Sequence, residues 1–247
     1  MSPLPIIDHA DADALADAVT TALAEAIRQG VAERGEAWLA LAGGRTPFAA
    51  YRRLAAMDLP WPKVHLLTSD ERWVPATHEN RNERMLLEAF AAASGITVHP
   101  LVPVDANASG FKIDSDRAAD DAGILLRTAN TSLAPLRYRA FDAVLLGMGM
   151  DAHFASLFPR ITPPSALDAG SREPMVALTP DPLPPEAPFP RISLTLARLV
   201  SAKCLMLMIT GADKRRVLEQ ARTLPASEAP IHALLAAAPD LAIHWSP

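Results

Sequence analysis

The spacing of apolar residues in the first part of the chain predicts a helix and then a strand. Apolar side chains recur every four residues over 15–31, separated mainly by polar residues and alanine. This period places an apolar stripe along one face of a helix. Asp11 or Asp13 is a suitable cap for its start, and Gly35 is a suitable stop. The apolar run 38–42 then ends at two glycines, which predicts a short buried strand.

Strand and helix patterns alternate along the rest of the chain. Further strands are predicted at 64–68, 96–102, 142–146, 175–178, 204–209 and 241–245, and helices around 85–90, at 118–129, and from near Asp213 and Ile231. This alternation favours a mainly parallel sheet with helices on both faces, which is a doubly wound α/β fold. Ligands of such folds bind beyond the carboxyl ends of the strands.

Prolines interrupt this order between residues 159 and 190. The interval carries 10 of the 23 prolines, which is too many for a regular helix. We interpret it as an irregular excursion that contains the strand at 175–178. A length of 247 residues then fits a single α/β domain over 1–247.

Composition and charge limit the class of protein. Half of the residues are hydrophobic, which is ample for a packed core, and the net charge of −5 lacks the basic surface of a nucleic-acid or anionic-membrane binder. The longest apolar run, at 205–209, is far shorter than the roughly 18 residues of a spanning helix. The first residues lack a basic start and an apolar run, so no signal peptide is expected. Cys204 is the single cysteine, and we expect a cytoplasmic protein.

Two of the predicted strands end in segments with candidate chemistry. The first segment consists of Gly43, Gly44, Arg45, Thr46 and Pro47. This segment could bind an anion, because it combines flexible glycine backbone, a hydroxyl and the start of a helix. Thr46 is expected to cap that helix, with Pro47 in its first turn. The second segment places Asp70, Glu71 and Arg72 after a strand, where we expect side chains facing the crevice. Taken alone, these segments also fit a capped turn and a solvated charged turn.

The most informative segment, 147–159, follows the strand predicted at 142–146. Asp151 and His153 are two residues apart, so that a carboxylate and an imidazole can face one pocket. An imidazole can take and give a proton near neutral pH. A histidine that only caps a turn is the alternative interpretation.

The glycines of this segment also fit a dinucleotide-binding fingerprint, Gly147-x-Gly149-x-x-Ala152. That fingerprint must open a regular helix that leads to a second strand. Prolines at 159, 163 and 164 leave no room for such a helix. Asp168 stands at the distance of a ribose-binding acid, but within the proline-rich interval. A dehydrogenase is therefore a weak alternative.

The sequence lacks the residue patterns of a serine hydrolase, a metal site and a cysteine nucleophile. The chain has no Gly-x-Ser-x-Gly elbow, and its histidines are scattered without the spacing of a metal site, so we expect no catalytic metal. Cys204 lies among apolar residues and is expected to be an inert thiol. Arg191 and Lys214 stand at element boundaries, and a cationic pair near a glycine loop is what a phosphate ester requires.

Six segments, taken in order, resemble the 6-phosphogluconolactonase family. They are 43–47, 70–75, 80–82, 147–159, 191–196 and 211–214. The resemblance implies a fold shared with glucosamine-6-phosphate deaminase and ribose-5-phosphate isomerase. It also implies hydrolysis of 6-phosphoglucono-1,5-lactone in the oxidative pentose phosphate pathway, with neither cofactor nor metal. We expect a monomer or a weak dimer.

On this resemblance we assign candidate roles. His153 would be the base that takes a proton from the water attacking C1, with Asp151 orienting it or binding a sugar hydroxyl. Arg72 would stabilise charge at the lactone end, and Asp70 would shape that pocket. The phosphate would be held by the glycine loop together with Arg191 and Lys214.

The chain departs from the family pattern at three positions. Ala42, Ala152 and Phe154 replace the usual serine, glycine and threonine. Alanine reaches positive φ less easily than glycine, so Ala152 bears on the geometry of the turn. Arg72 and the ending 156–159 favour the lactonase over the related deaminases. A sugar-phosphate isomerase or deaminase with Asp70 as base, and a non-catalytic sugar-phosphate sensor, remain the alternatives.

Overall fold

The computed structural model describes residues 5–102, 139–179 and 189–247. The helix predicted at 118–129 lies outside the described residues. The helices are α1 Ala12–Arg34, α2 Phe48–Ala55, α3 Asn82–Ala89, α4 Leu196–Val200, α5 Ala212–Ala221 and α6 Ile231–Ala237. The strands are β1 Ile6–Asp8, β2 Ala37–Leu41, β3 Val64–Thr68, β4 Asp70–Arg72, β5 Thr97–Val98, β6 Ala143–Leu146, β7 Met175–Leu178, β8 Arg191–Leu194, β9 Cys204–Thr210 and β10 Ala242–Ser246.

The central sheet has seven strands in the order β1-β10-β9-β6-β2-β3-β5, and neighbouring strands are parallel throughout. Alternate residues of β2 enter opposite apolar cores. Leu39 and Leu41 pack with α1, α2 and α3, whereas Trp38 and Ala40 pack with α4, α5 and α6. The sheet is therefore covered on both faces, and the predicted doubly wound α/β fold is confirmed.

Helix α1 begins and ends as its sequence predicts. Asp11 is the N-cap, and its Oδ1 accepts the N–H of Ala14 at 2.8 Å. Gly35 closes the helix at a φ of 81°, a conformation that glycine adopts without strain. The next helix begins one residue later than predicted. Pro47 occupies the cap position of α2 without a side-chain hydrogen bond, so the expected cap at Thr46 is wrong.

A second, three-stranded antiparallel sheet in the order β4-β8-β7 was not predicted. It contains Asp70, Glu71 and Arg72, which were expected to form a loop with all three side chains in the crevice. In a strand successive side chains point to opposite faces. Asp70 and Arg72 line the cleft described below, whereas Glu71 is fully buried away from it. The expectation for Glu71 was therefore wrong.

The segment after β6 is irregular. Between Gly147 and Met175 the only helical element is a 3₁₀ turn at Pro164–Ala166. The regular helix that a dinucleotide fingerprint must open is absent from this described stretch, which excludes that alternative. The strand predicted at 96–102 is reduced to Thr97–Val98, at the edge of the sheet. No helix among the described residues is long and apolar enough to span a membrane.

Candidate active site

A cleft of about 360 Å³ lies beyond the carboxyl ends of β2, β3, β6 and β9. Of the predicted site residues, it is lined by Gly43, Gly44, Arg45, Thr46, Asp70, Arg72, His153 and Lys214. These residues come from four separate parts of the sequence and meet because parallel strands end at the same edge of the sheet. Asp151 and Arg191 are not among the lining residues. Asp151 contacts the lining residue His153, and Arg191 is the register partner of the lining residue Arg72.

His153 and Asp151 form a hydrogen-bonded pair at the cleft. The His153 Nδ1 lies 2.5 Å from the Oδ1 of Asp151. Burial raises the pKa of Asp151, but the hydrogen bond and charge of His153 outweigh this and lower it overall. An ionised carboxylate at Nδ1 favours the tautomer that carries its proton there, which leaves a lone pair on Nε2. The pair therefore has the arrangement of a proton acceptor held by a carboxylate.

A tight turn places this imidazole, and it depends on Gly149. The N–H of Gly149 donates to the carbonyl of His153 at 2.9 Å, and the N–H of Ala152 donates to the carbonyl of Gly149 at 3.1 Å. A Cβ built on Gly149 would lie 2.2 Å from two atoms of the His153 ring. No side chain fits at Gly149 unless the imidazole moves.

Ala152 adopts the left-handed conformation in which the family usually has glycine. Its φ is 64°, and Ala155 and Arg160 also have positive φ, 47° and 66°. Each such residue costs about 1 kcal/mol or more. The carbonyl of Ala152 accepts the N–H of Ile231 at 3.0 Å, which ties the turn to the start of α6. The turn thus forms in spite of the alanine. Phe154, in place of the usual threonine, is fully buried in the core.

The glycine loop after β2 is closely packed against α3. A Cβ on Gly43 would lie 2.2 Å from the Oδ1 of Asn82, and Gly44 has a φ of 92°. Asn82 donates from Nδ2 to the carbonyl of Asp70 at 2.9 Å. Asn82 also lines the cleft, although it was not assigned a site role from the sequence. The available signal was its place in the segment 80–82 of the resemblance.

Two guanidinium groups lie side by side at the edge of the cleft. Arg72 and Arg191 are register partners of the antiparallel β4 and β8 strands. Arg72 lines the cleft and donates from Nη1 to the carbonyl of Asn80 at 2.8 Å. Arg191 is buried, and burial together with the charge of Arg72 lowers its pKa to about 10. Arg191 therefore remains cationic at neutral pH, and this edge attracts negative charge.

Lys214 supplies a cation from another side of the cleft. It lies in the first turn of α5, directly after β9, and is half-buried. Burial lowers the pKa of its ammonium group. Lys214 was expected to act together with Arg191, but Arg191 is paired with Arg72 across β4 and β8 instead.

Glu71 supports the site from behind. Its carboxylate accepts the N–H groups of Asn82 and Glu83 at 2.7 Å and of Arg72 at 2.8 Å, and Arg81 lies 3.6 Å away. These bonds satisfy donors at the start of α3. Burial nevertheless raises the pKa of Glu71 to about 7. This carboxylate holds Asn82 and Arg72 in place without entering the cleft.

The described part of the chain offers no cluster of side chains for metal chemistry and no activated thiol. Residues 5–102, 139–179 and 189–247 contain no group of three or more histidine, cysteine or acidic side chains arranged to hold a metal ion. Burial raises the pKa of the Cys204 thiol, which disfavours the nucleophilic thiolate.

Comparison with known sequences gives one consistent result. The model of a family described as glucosamine-6-phosphate isomerases/6-phosphogluconolactonase matches residues 10–245, a range that includes every residue lining the cleft. A 6-phosphogluconolactonase of Rhizobium meliloti is 36% identical over 240 residues, which cover 96% of this chain and 94% of the relative. One of Caulobacter vibrioides is 34% identical over 220 residues, or 88% of each chain.

Solved structures agree with the sequence comparisons. A 6-phosphogluconolactonase from Shewanella baltica matches with a TM-score of 0.84 and 27% identity, over 100% of this chain and 99% of that one. One from Trypanosoma brucei matches with a TM-score of 0.79 and 25% identity, over 99% and 96% of the two chains.

Proposed function

The chain belongs to the glucosamine-6-phosphate isomerase/6-phosphogluconolactonase family, and on this premise we propose that it hydrolyses 6-phosphoglucono-1,5-lactone to 6-phosphogluconate in the oxidative pentose phosphate pathway. The observation that carries the proposal is the Asp151–His153 pair beside a cleft lined by a glycine loop and several cationic groups. A lactone is already an activated ester, so a positioned water, a base and charge stabilisation suffice.

His153 acts as the base in this proposal. Its Nε2 takes a proton from water while the water oxygen bonds to C1 of the lactone. The tetrahedral intermediate collapses by breaking the bond between C1 and the ring oxygen, and the imidazolium of His153 protonates that departing oxygen. Asp151 orients the ring and stabilises its charged form through Nδ1. Water is consumed and no covalent enzyme intermediate is formed.

The cationic groups divide between the two ends of the substrate. Arg72 faces the lactone carbonyl and stabilises the oxyanion. Arg191 was expected at the phosphate; because it is the register partner of Arg72, we propose that it adds positive charge behind the oxyanion instead. Lys214 and the loop formed by Gly43, Gly44, Arg45 and Thr46 hold the phosphate. Binding at the phosphate end fixes C1 relative to His153.

The alternatives receive less support. The relatives reported above carry the lactonase name, which does not favour an isomerase or deaminase that uses Asp70 as a carbon base. Proton exchange at C2 of a hexose 6-phosphate would reveal such an activity. A sensor that binds without turnover has no need of a carboxylate on the His153 ring, so the pair favours an enzyme.

We also propose that the protein acts in the cytoplasm as a monomer or weak dimer. The large apolar side chains exposed among the described residues are Ile7, Leu87, Met150 and Leu224, which lie in different elements or loops. Scattered exposed residues of this kind do not form the large patch of a stable interface. Sedimentation at micromolar concentration should show mainly the monomer mass, and a stable tetramer would contradict the proposal.

The test of the proposed activity compares two lactones. The purified chain should accelerate hydrolysis of 6-phosphoglucono-1,5-lactone well above its spontaneous rate, measured in parallel without protein. Unphosphorylated gluconolactone should be a far poorer substrate, because it lacks the group that Lys214 and the glycine loop bind. No acceleration above the background would refute the function, and equal efficiency with both lactones would refute the phosphate site.

A further inference from the structure

Two buried serine hydroxyls hold the carboxylate of Asp70. Ser156 donates from Oγ to the Oδ2 of Asp70 at 2.5 Å, and Ser69 donates from Oγ to the Oδ1 at 3.1 Å. Asp70 is 8% exposed, Ser156 1% and Ser69 0%. A carboxylate offers about four lone-pair sites, so two hydroxyls orient it without exhausting it. The remaining sites are available to a ligand, since Asp70 lines the cleft.

Ser156 is itself fixed between the two sides of the cleft. Its N–H donates to the Oγ of Ser193 at 3.2 Å, and Ser193 is the register partner of Asp70 on the neighbouring strand β8. Ser156 also follows His153 by three residues in the same loop. One hydroxyl therefore joins the loop that carries the candidate base to the strand that carries Asp70.

The direction of β4 indicates what Asp70 can recognise. Asp70 and Arg72 are two residues apart and share the cleft face of the strand, whereas Glu71 points away from it. A hydrogen-bond acceptor thus stands next to a guanidinium. This order matches a hydroxyl donor next to a carbonyl, which in the lactone is the C2 hydroxyl beside C1.

We propose that Ser156 is a positioning residue whose hydroxyl holds Asp70 to accept a hydrogen bond from the C2 hydroxyl of the lactone. The inference rests on the proposed function and deepens it. The bond from C2 to Asp70 aligns C1 with His153, and it makes the site selective for a 2-hydroxylated ring. Without the Ser156 hydroxyl, one oxygen of Asp70 is buried without its partner, and the carboxylate rotates away from C2.

Kinetics with two lactones test this role. The parent chain and Ser156→Ala are compared on 6-phosphoglucono-1,5-lactone and on its 2-deoxy analogue. Ser156→Ala should lower kcat/KM about tenfold or more for the hydroxylated lactone, mostly in kcat, and less than about threefold for the 2-deoxy lactone. Ser246→Ala removes an equally buried hydroxyl on β10, from a residue that does not line the cleft. This control should affect both lactones by the same small factor.

Two more variants keep the test decisive. Ser156→Thr retains the hydroxyl and should restore the preference for the 2-hydroxylated lactone. Asp70→Ala removes the acceptor and should abolish that preference, and adding Ser156→Ala to it should change the ratio no further. A folded Ser156→Ala that slows both lactones equally, or a folded Asp70→Ala variant that keeps the preference, would overturn the inference.

The outcomes also separate this inference from the proposed function. If the parent chain hydrolyses both lactones with equal efficiency, the lactonase activity stands and the role of Ser156 and Asp70 at C2 fails. If the parent chain hydrolyses neither lactone above the background, the proposed function fails and this inference fails with it.

Discussion

Gly149→Ala is the substitution that most directly probes how the turn places the imidazole. The added Cβ would lie 2.2 Å from the Cε1 and Nδ1 of His153 and 2.6 Å from the Oδ1 of Asp151. An ordinary carbon contact is about 3.5 Å or longer, so the ring must retreat by roughly 1 Å. A displacement of this size between base and substrate costs about 100-fold in rate, which corresponds to about 3 kcal/mol of activation free energy.

Steady-state hydrolysis, corrected for the spontaneous reaction, measures this effect. We expect kcat to fall about 100-fold, with a smaller change in KM, because the phosphate-binding groups are untouched. The second arm combines Gly149→Ala with His153→Asn. If the glycine acts only by placing the imidazole, the double variant should be no slower than His153→Asn alone. A folded Gly149→Ala within threefold of the parent rate would refute the reasoning, and so would additive losses in the double variant.

Three further predictions concern charge and metal dependence. The pKa of Glu71 rises from 4.5 to about 7 on folding, so the folded chain retains a proton that the unfolded chain has released. The free energy of unfolding should therefore fall by up to about 3 kcal/mol as pH rises from 4.5 to 7. In denaturant titrations, Glu71→Gln should remove this pH dependence, and an unchanged pH dependence would contradict the prediction. Lys214→Ala should slow the phosphorylated lactone at least tenfold more than the unphosphorylated one, since a charge-assisted contact contributes about 1.5 to 3 kcal/mol; equal effects would argue against a phosphate contact. Excess chelator should leave turnover unchanged, and a loss restored by one divalent ion would contradict a mechanism that relies on His153 alone.

Periodicity predicted most of the main sheet because β2, β3, β6 and β9 are largely buried apolar runs, whereas the short edge strand β1 was not predicted. The run 38–42 became β2, and the spacing over 15–31 together with Asp11 and Gly35 gave the bounds of α1. Strand β4 escaped prediction because it consists of three charged residues, which do not show apolar alternation. The buried residue of β4, Glu71, accepts hydrogen bonds from three backbone N–H groups and lies near Arg81. These contacts form only in the folded chain.

The candidate site was predictable as a set of residues, but not as an arrangement. Asp151 and His153 are close in sequence, and their pairing follows from a local turn. Arg191 is far from Arg72 in sequence, and their contact depends on the register between β4 and β8. The role of Ser156 could not be predicted for the same reason, because its hydrogen bond to Asp70 joins segments 86 residues apart. No local pattern fixes such registers.

The most direct test of the account is the rate of His153→Asn with 6-phosphoglucono-1,5-lactone, after subtraction of spontaneous hydrolysis. Asparagine cannot accept the proton from water, so the catalysed rate should fall about 10²- to 10⁴-fold while folding and binding of the product are retained. A folded His153→Asn variant with nearly full turnover would contradict the account and direct the search for the base to Asp70 and Asp151.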